Sequence, residues 1–458
     1  MMKIRMELTP AALKNKLNRF FELSARKILS IESEWDPSQG TPVYTVRGKY
    51  TTRGWTEWTQ GFQYGSALLQ YDATDDRQFL EIGRTNTVER MAPHLTHTGV
   101  HDHGFNNIST YGNLRRLMLE ERIPYNEWEM QYYRLAIMVS GAVQAARWIP
   151  TANGFGYICS FNGPHSLFVD TIRSLRVLGL AHRLGHVLMG ENDKPISLLE
   201  RLVHHARNTA RFNVYYGKGR DAFDVRGRTA HEAIFNEHTG VFRCPSTQQG
   251  YSALSTWTRG LAWAITGFAE QVEFLETFSE SELEPYEGRS TLLNEFLEAA
   301  QATADFYIQN TPSDGIPYWD TGAPGLARLD DYLERSADPF NDFEPVDSSA
   351  AAIAAQGLLR LGYYLKTQGF TEKGTYYFQA GLTVADALFD EPYLSTEEEH
   401  QGIILHSVYH RPNGWDHVPE ASKIPNGESS MWGDYHAREL AVLIQREAKD
   451  EKYPTFFS

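Results

Sequence analysis

Leu293 to Tyr307 reads LNEFLEAAQATADFY, and its period sets the reading of the whole chain. Leu293, Leu297, Ala300, Ala304 and Tyr307 recur at i, i+4, i+7, i+11 and i+14, which places them on one face of an α-helix. Pro10 opens a second such pattern through Leu13, Leu17, Phe20, Phe21 and Ile28. Further helical stretches are predicted over about 54–72, 76–91, 104–121, 126–147, 169–188 and 195–211, then 255–276, 288–309, 347–366, 372–389 and 432–447. No strong strand run interrupts them. Twelve helices without an exact sequence repeat suggest six αα-hairpins closed on themselves, an all-α (α/α)6 barrel. An open α-solenoid is the alternative, and the unequal hairpin lengths speak against it. Most connections read as short. Three are long, about 212–254, 310–346 and 390–431, and are expected to form a binding rim with local two-stranded ribbons. They carry Gly315-Ile316-Pro317-Tyr318-Trp319-Asp320 and His410-Arg411-Pro412-Asn413-Gly414-Trp415. No boundary divides the chain, so 1–458 reads as a single domain.

Composition narrows the partners. The 458 residues carry 43 basic and 58 acidic side chains, a net charge of −15. That argues against nucleic acid and anionic membrane surfaces. Cys159 and Cys244 are the two cysteines, too few for a disulfide framework or a cysteine metal site. The start, MMKIRMELTPAALKNKL, lacks an apolar leader, and no long apolar run follows, which reads as a cytoplasmic chain. HExxH, the Walker loop, the dinucleotide fingerprint and G-x-S-x-G are all absent. No metal and no cofactor are expected. Oligomeric state is left open.

Thr247 to Ala264, TQQGYSALSTWTRGLAWA, concentrates side chains suited to a sugar acid. Gln248 and Gln249 precede a Gly250 turn, and Ser255 or Thr256 is a candidate cap for the helix that follows. Arg259 offers a planar fork for a carboxylate. Trp257 and Trp263 offer faces to a sugar ring. Trp257 and Arg259, two apart, meet only at the helix's first turn. Gly260 inside the helix predicts a close approach to the backbone. The same residues also fit core packing with a satisfied ion pair. Trp55 and Trp58 form a further aromatic pair.

Two aspartates stand before helices. Asp102 lies in His101-Asp102-His103-Gly104-Phe105, and Asp170 in Leu167-Phe168-Val169-Asp170-Thr171-Ile172. Capping accounts for most aspartates at such positions. The apolar surroundings of Asp170 favour a raised pKa, and a neighbouring carboxylate would raise it further. A useful proton donor at neutral pH needs about 3 units, roughly 4 kcal/mol. His231 precedes the glutamine turn and is a candidate site residue, while His204 and His205 read as packing or solvated groups.

Taken together, HDHGF, the Asp170-Thr171 segment, TQQGYS, STWTRGLAWA, GIPYWD, DSSAAAIAA and Met431-Trp432-Gly433-Asp434-Tyr435 resemble the unsaturated glucuronyl hydrolases, glycoside hydrolase family 88. The resemblance runs from about Trp58 to Leu443. It implies an (α/α)6 barrel and substrates left by polysaccharide lyases, oligosaccharides ending in a 4,5-unsaturated uronic acid. It implies Asp170 as proton donor and Asp102 as its partner carboxylate. It places His231, Gln249, Trp257, Arg259, Trp263 and Trp58 around the unsaturated sugar. Protonation of C4 by Asp170 gives an oxocarbenium-like ion, water adds at C5, and the hemiketal opens to release the aglycone. The carboxylate-separation rule for ordinary glycosidases does not apply, because the anomeric carbon is not attacked. Where some relatives carry serines and a lysine, this chain has HRPNGW, which favours an unsulfated uronyl substrate. The nearest rivals are the unsaturated rhamnogalacturonyl hydrolases, against which TQQGYS and HDHGF speak. A non-catalytic sugar-binding scaffold would instead place Asp102 and Asp170 in separate caps.

Overall fold

The protein is described here from a computed structural model covering residues 1–54 and 58–457, so Trp55 lies outside the described residues. Helices alternate between an outer and an inner layer along the chain. Outer helices such as Lys14–Glu34, Arg77–Arg90, Glu127–Ala145 and Arg289–Gln309 bury one face. Inner helices such as Thr258–Leu275, Ser348–Thr367 and Met431–Ala448 are buried almost all round, as a central layer requires. The inner ring runs Gln60–Thr74, then 103–119, 171–183, Thr258–Leu275, Ser348–Thr367 and Met431–Ala448, which packs back on Gln60–Thr74. This is the (α/α)6 barrel. The 103–119 helix contains a π turn at Ile108–Gly112, and the 171–183 helix is broken into Thr171–Ser174 and Arg176–Arg183.

Small residues set the spacing of the ring. A Cβ on Gly267 would stand 2.9 Å from the Arg173 amide nitrogen, and one on Gly357 2.7 Å from that of Thr266. Helices Thr258–Leu275, 171–183 and Ser348–Thr367 therefore touch at backbone distance. On Arg289–Gln309 the buried stripe is Leu292, Phe296, Ala299, Ala300, Thr303 and Tyr307. Of the expected stripe, Ala300, Ala304 and Tyr307 are buried, while Leu293 and Leu297 are only half-buried on its flank, their places taken by Leu292 and Phe296.

Every inner helix starts at the same end of the barrel, reached by the connections 35–59, 91–102, 146–170, 213–257, 310–347 and 389–430. The long connections are thus more than the three expected. Strands also form outside those three. Pro42–Val46 pairs with Lys49–Thr52 across Arg47 and Gly48, both at positive φ (53° and 76°), a hairpin turn that follows the strand twist. Trp148–Pro150 pairs with Gly156–Ile158, and Leu188–Met189 with Pro195–Ile196. Ser166–Phe168, Glu232–Phe235 and Phe242–Ser246 form a three-stranded antiparallel sheet.

Charges cross the middle of the ring. Arg173 pairs with Glu439 at 2.6 Å and Glu270 at 3.2 Å, Arg176 lies 3.6 Å from both carboxylates, and Arg360 pairs with Glu273 at 2.9 Å. These residues come from four inner helices, and all but the slightly exposed Glu273 are buried. Burial opposes ionisation of Glu439, but Arg173 and Arg176 outweigh it and hold the carboxyl well below its usual range. No helix among the described residues is long and apolar enough to cross a membrane. Removing one partner leaves a buried uncompensated charge, so Arg173→Met is expected to cost about 3–5 kcal/mol in chemical denaturation. A loss below about 1 kcal/mol, the scale of an exposed pair, would show that the network does not hold the ring together.

Candidate active site

A cavity of about 340 Å³ opens at the end where the inner helices begin. Asp102, Asp170, Gln249, Trp257, Arg259, Trp263 and Trp58 all line it, joined by His97, His101, Phe161, Gln248, Tyr409, His410 and Trp415. Among the predicted site residues, His231 alone does not reach the wall.

Backbone contacts bring the two aspartates together. Asp102 precedes the helix beginning at His103, and Asp170 the one beginning at Thr171. A Cβ on Gly104 would lie 1.9 Å from the Ser174 carbonyl oxygen, so only glycine allows these helix starts to meet. The Ser174 hydroxyl accepts from the Gly104 amide and donates to the His101 carbonyl. Neither aspartate makes a side-chain capping hydrogen bond. The scaffold reading, with two separate caps, fails on both counts.

Between the carboxylates sits His101. Its Nε2 is 3.7 Å from Asp102 Oδ1 and 3.5 Å from Asp170 Oδ1, and the ring is buried between Phe161 and the edge of Phe168. Burial pushes Asp102 up to about 6, His101 pulling it back only in part. Burial would raise Asp170 too, but the His101 imidazole 3.5 Å away, then that of His231, holds it below the usual carboxylate range. Sequence reasoning expected the raised pKa on Asp170. With His101 beside it, Asp170 is lowered and the raised carboxyl is Asp102, the three residues titrating as one coupled unit.

The sheet delivers His231. The Val169 amide donates to its carbonyl, and its Nδ1 accepts from the amides of Gln248 at 3.0 Å and Gln249 at 3.4 Å. The ring thus sits behind the glutamine turn, packed on Phe168 and Trp257, and supports Asp170 rather than facing the cavity.

Arg259 is held differently from expectation. Its Nη1 donates to Asp347 Oδ2 at 3.1 Å and to the Val408 carbonyl, and its Nη2 to Gln249 Oε1 at 3.0 Å and the Tyr409 carbonyl at 2.8 Å. Its guanidinium lies 4.7 Å from the Trp257 ring centre and 4.8 Å from that of Trp432. All four terminal N–H groups are thus engaged by protein, which corrects the free fork of the sequence reading. Because Gln249 Oε1 accepts from Arg259, its amide NH₂ is left as the donor for a ligand.

Other expectations meet a mixed outcome. Neither Ser255 nor Thr256 caps the Thr258–Leu275 helix: Trp257 holds the N-cap position, and the Thr258 amide is bound by the Trp319 carbonyl. The close neighbour of Gly260 is the Trp257 ring, 2.6 Å from a would-be Cβ. GIPYWD lines no part of the cavity. Instead Asp320 accepts from the Tyr251 amide at 2.8 Å and braces the glutamine turn. HRPNGW does reach the rim through His410 and Trp415. Trp58 stacks on Trp432 with centroids 5.1 Å apart. His205, read as packing or solvated, is fully buried, its Nδ1 accepting from the Ile158 amide at 3.0 Å. His101 and Phe161 were missed as site residues. The signal for His101 was its place beside Asp102 in a quoted motif, whereas nothing in the 146–170 connection singled out Phe161. No cluster able to hold a metal ion occurs among the described residues.

No family model matches the chain. Relatives in sequence do. An unsaturated glucuronyl hydrolase of Bacillus sp. (strain GL1) is 26% identical over 405 residues, covering 87% of this chain and 89% of that protein. One from Formosa agariphila is 24% identical over 386 residues, covering 83% and 78%. The solved structure of the Bacillus sp. GL1 unsaturated glucuronyl hydrolase superposes with a TM-score of 0.69 at 22% identity, over 94% of this chain and 97% of that one. Relatedness along most of the sequence, and a shared fold along nearly all of it, make this chain similar to the unsaturated glucuronyl hydrolases.

Proposed function

We propose that the cavity removes a 4,5-unsaturated glucuronic acid from the non-reducing end of lyase-generated oligosaccharides, by adding water across C4=C5. The observation that carries this reading is the pair Asp102 and Asp170 on one buried imidazole, facing a sugar-sized cavity walled by tryptophans. The substrate is an enol ether. Protonation at C4 needs a neutral acid, and the resulting charge is shared by C5 and the ring oxygen. Asp170, once it carries the proton, is the donor. As carboxylate it then deprotonates the water that attacks C5. Asp102 holds sugar hydroxyls. The Gln249 NH₂ meets the uronate carboxylate, oriented by Arg259 through its Oε1. Trp257, Trp263 and Trp58 bound the flattened ring. Six inner helix N-termini turned toward this end favour an anionic ligand despite the net charge of −15.

The rim supports an unsulfated substrate. His410 and the half-exposed Phe161 and Trp415 form it, and no lysine lines the cavity. The catalytic unit is read as the whole of 1–458, acting in the cytoplasm, in keeping with free Cys159 and Cys244.

Loss of near-ultraviolet absorbance from the conjugated double bond follows the reaction. Asp170→Asn is expected to slow that loss by about 10²–10⁴-fold, and a wild-type rate in the variant would remove Asp170 from the role. Gln249→Leu is expected to raise KM about tenfold, the worth of one charge-assisted hydrogen bond, while leaving kcat within a few-fold. An unchanged KM would mean that the carboxylate binds elsewhere. In a panel of lyase-made disaccharides, unsulfated glucuronyl substrates should be consumed faster than sulfated or pectin-type ones. Preference for the unsaturated rhamnogalacturonyl disaccharide would favour the rival family.

A further inference from the structure

Three buried histidines surround Asp170, and the structure distinguishes one from the others. His231 Nδ1 accepts the Gln248 amide, and His205 Nδ1 accepts the Ile158 amide. A ring nitrogen that accepts carries no proton, so both rings are fixed as neutral Nε2–H tautomers. Burial accordingly drives both well below the usual histidine range, His205 to about 3 and His231 to about 4. His101 has no such restraint. Neither of its ring nitrogens has a hydrogen-bond partner among the described residues, and Nε2 faces the two carboxylates. One oxygen of Asp170, Oδ1, likewise has no partner among the described residues, and it is the atom 3.5 Å from that nitrogen.

The fixed surroundings define what His101 can do. Asp102 flanks it in sequence, and Asp170 faces it from the helix starting at Thr171. His205 faces it from helix Leu198–Phe212, His231 from the sheet, and Arg147 from the segment after Glu127–Ala145. Two carboxylates against one distant guanidinium and two neutral imidazoles favour a cationic ring. Of the three histidines here, His101 alone is placed to hold a second ring proton and pass it to a carboxylate near neutral pH.

We propose that His101 is the positioning residue that keeps the carboxylate pair supplied with its proton: an imidazolium between Asp102 and Asp170 passes its Nε2 proton to Asp170 when substrate fills the cavity, and recovers it when product leaves. The transfer breaks the Nε2–H bond, leaves its electron pair on nitrogen and forms the Oδ1–H bond. This transfer leaves the charge on the three residues at −1; it becomes −2 while the proton is on C4, offset by the oxocarbenium charge, and returns to −1 when Asp170 takes a proton from water. Asp170 then gives that proton to C4, takes one from the attacking water, and returns it to Nε2. No proton is consumed beyond those of the added water. Displacement of water by the sugar drives the first transfer, because a dry cavity disfavours an ion pair relative to two neutral groups. Asp170 is thus anionic in the free protein and an acid once substrate is bound.

The proposal rests on the hydration reading above, so its test separates the two. An imidazole is a stronger base than a carboxylate, so with His101 present the trio keeps its shared proton to higher pH. His101→Gln is expected to move the basic limb of kcat/KM down by about one unit or more. Activity near pH 7.5 should then fall at least about tenfold, and much of it should return near pH 5. A limb that stays in place, or a loss equal at every pH, would overturn the proposal and leave His101 a packing residue. A second measurement needs no folded variant and no turnover. In unsubstituted protein with ¹³C-labelled histidine, the His101 ring should titrate as an imidazolium persisting above pH 6.5, and become neutral when an unreactive saturated uronide occupies the cavity. A ring neutral across pH 5–8 in the free protein would overturn the proposal even if the enzyme is active. Failure of the unsubstituted protein to consume any unsaturated uronide would instead sink the hydration reading.

Discussion

Arg259 gives all four of its terminal N–H groups to the protein, and the site takes its shape from that commitment. One pair ties the inner helix Thr258–Leu275 to Asp347 and the Val408 carbonyl; the other reaches Gln249 and the Tyr409 carbonyl. Asp347 in turn caps the next inner helix, its Oδ1 accepting from the Ser349 amide. A buried guanidinium is costly unless it is paired and fully hydrogen-bonded. The glutamine turn and the segment leading to HRPNGW must therefore stay where they are. Trp257 and Trp432 cover the two sides of the cation, and Trp58 stacks on Trp432. Binding faces and the helix ring are in this way set by one side chain that need not touch the ligand with its fork.

On the other wall the constraint is the Gly104–Ser174 contact, which brings two helix starts close enough for their aspartates to share an imidazole. The two walls differ in electrical character. Arg259 is a fixed cation whose donors are satisfied. The opposite group is a mobile charge distributed over Asp102, His101 and Asp170. An enol ether with an attached carboxylate asks for that division: a steady positive environment near the carboxylate, and a proton that can be given and regained near C4.

Much of this was legible in the chain. Helical periodicity identified the helices and thus the barrel, because buried inner helices and half-buried outer ones both keep the 3.6-residue period. On Arg289–Gln309 the first two positions of the stripe were misplaced by one residue, Leu293 and Leu297 for Leu292 and Phe296, since Leu and Phe neighbours fit two adjacent faces equally well. The hairpin Pro42–Val46 with Lys49–Thr52 had a signal, β-branched and aromatic residues around Arg47-Gly48, that the search for helices passed over. Short strands such as Ser166–Phe168 take their register from a partner strand, Leu167 facing Ala233, that lies far along the chain. In the site, residue types and neighbourhoods were readable, but hydrogen-bond directions were not. Whether Arg259 keeps a free fork depends on carbonyls at 408 and 409, some 150 residues later. Which aspartate holds the higher pKa depends on where the His101 ring points, and a sequence carries no such angle.

The account stands on a carboxyl group protonating C4 rather than on water displacing the aglycone at C1. Running the reaction in D₂O and following the released sugar acid by NMR at early turnover separates these directly. Hydration of the double bond predicts one deuterium at C4 in every product molecule. A product with only hydrogen at C4 and the double bond intact on release would contradict it.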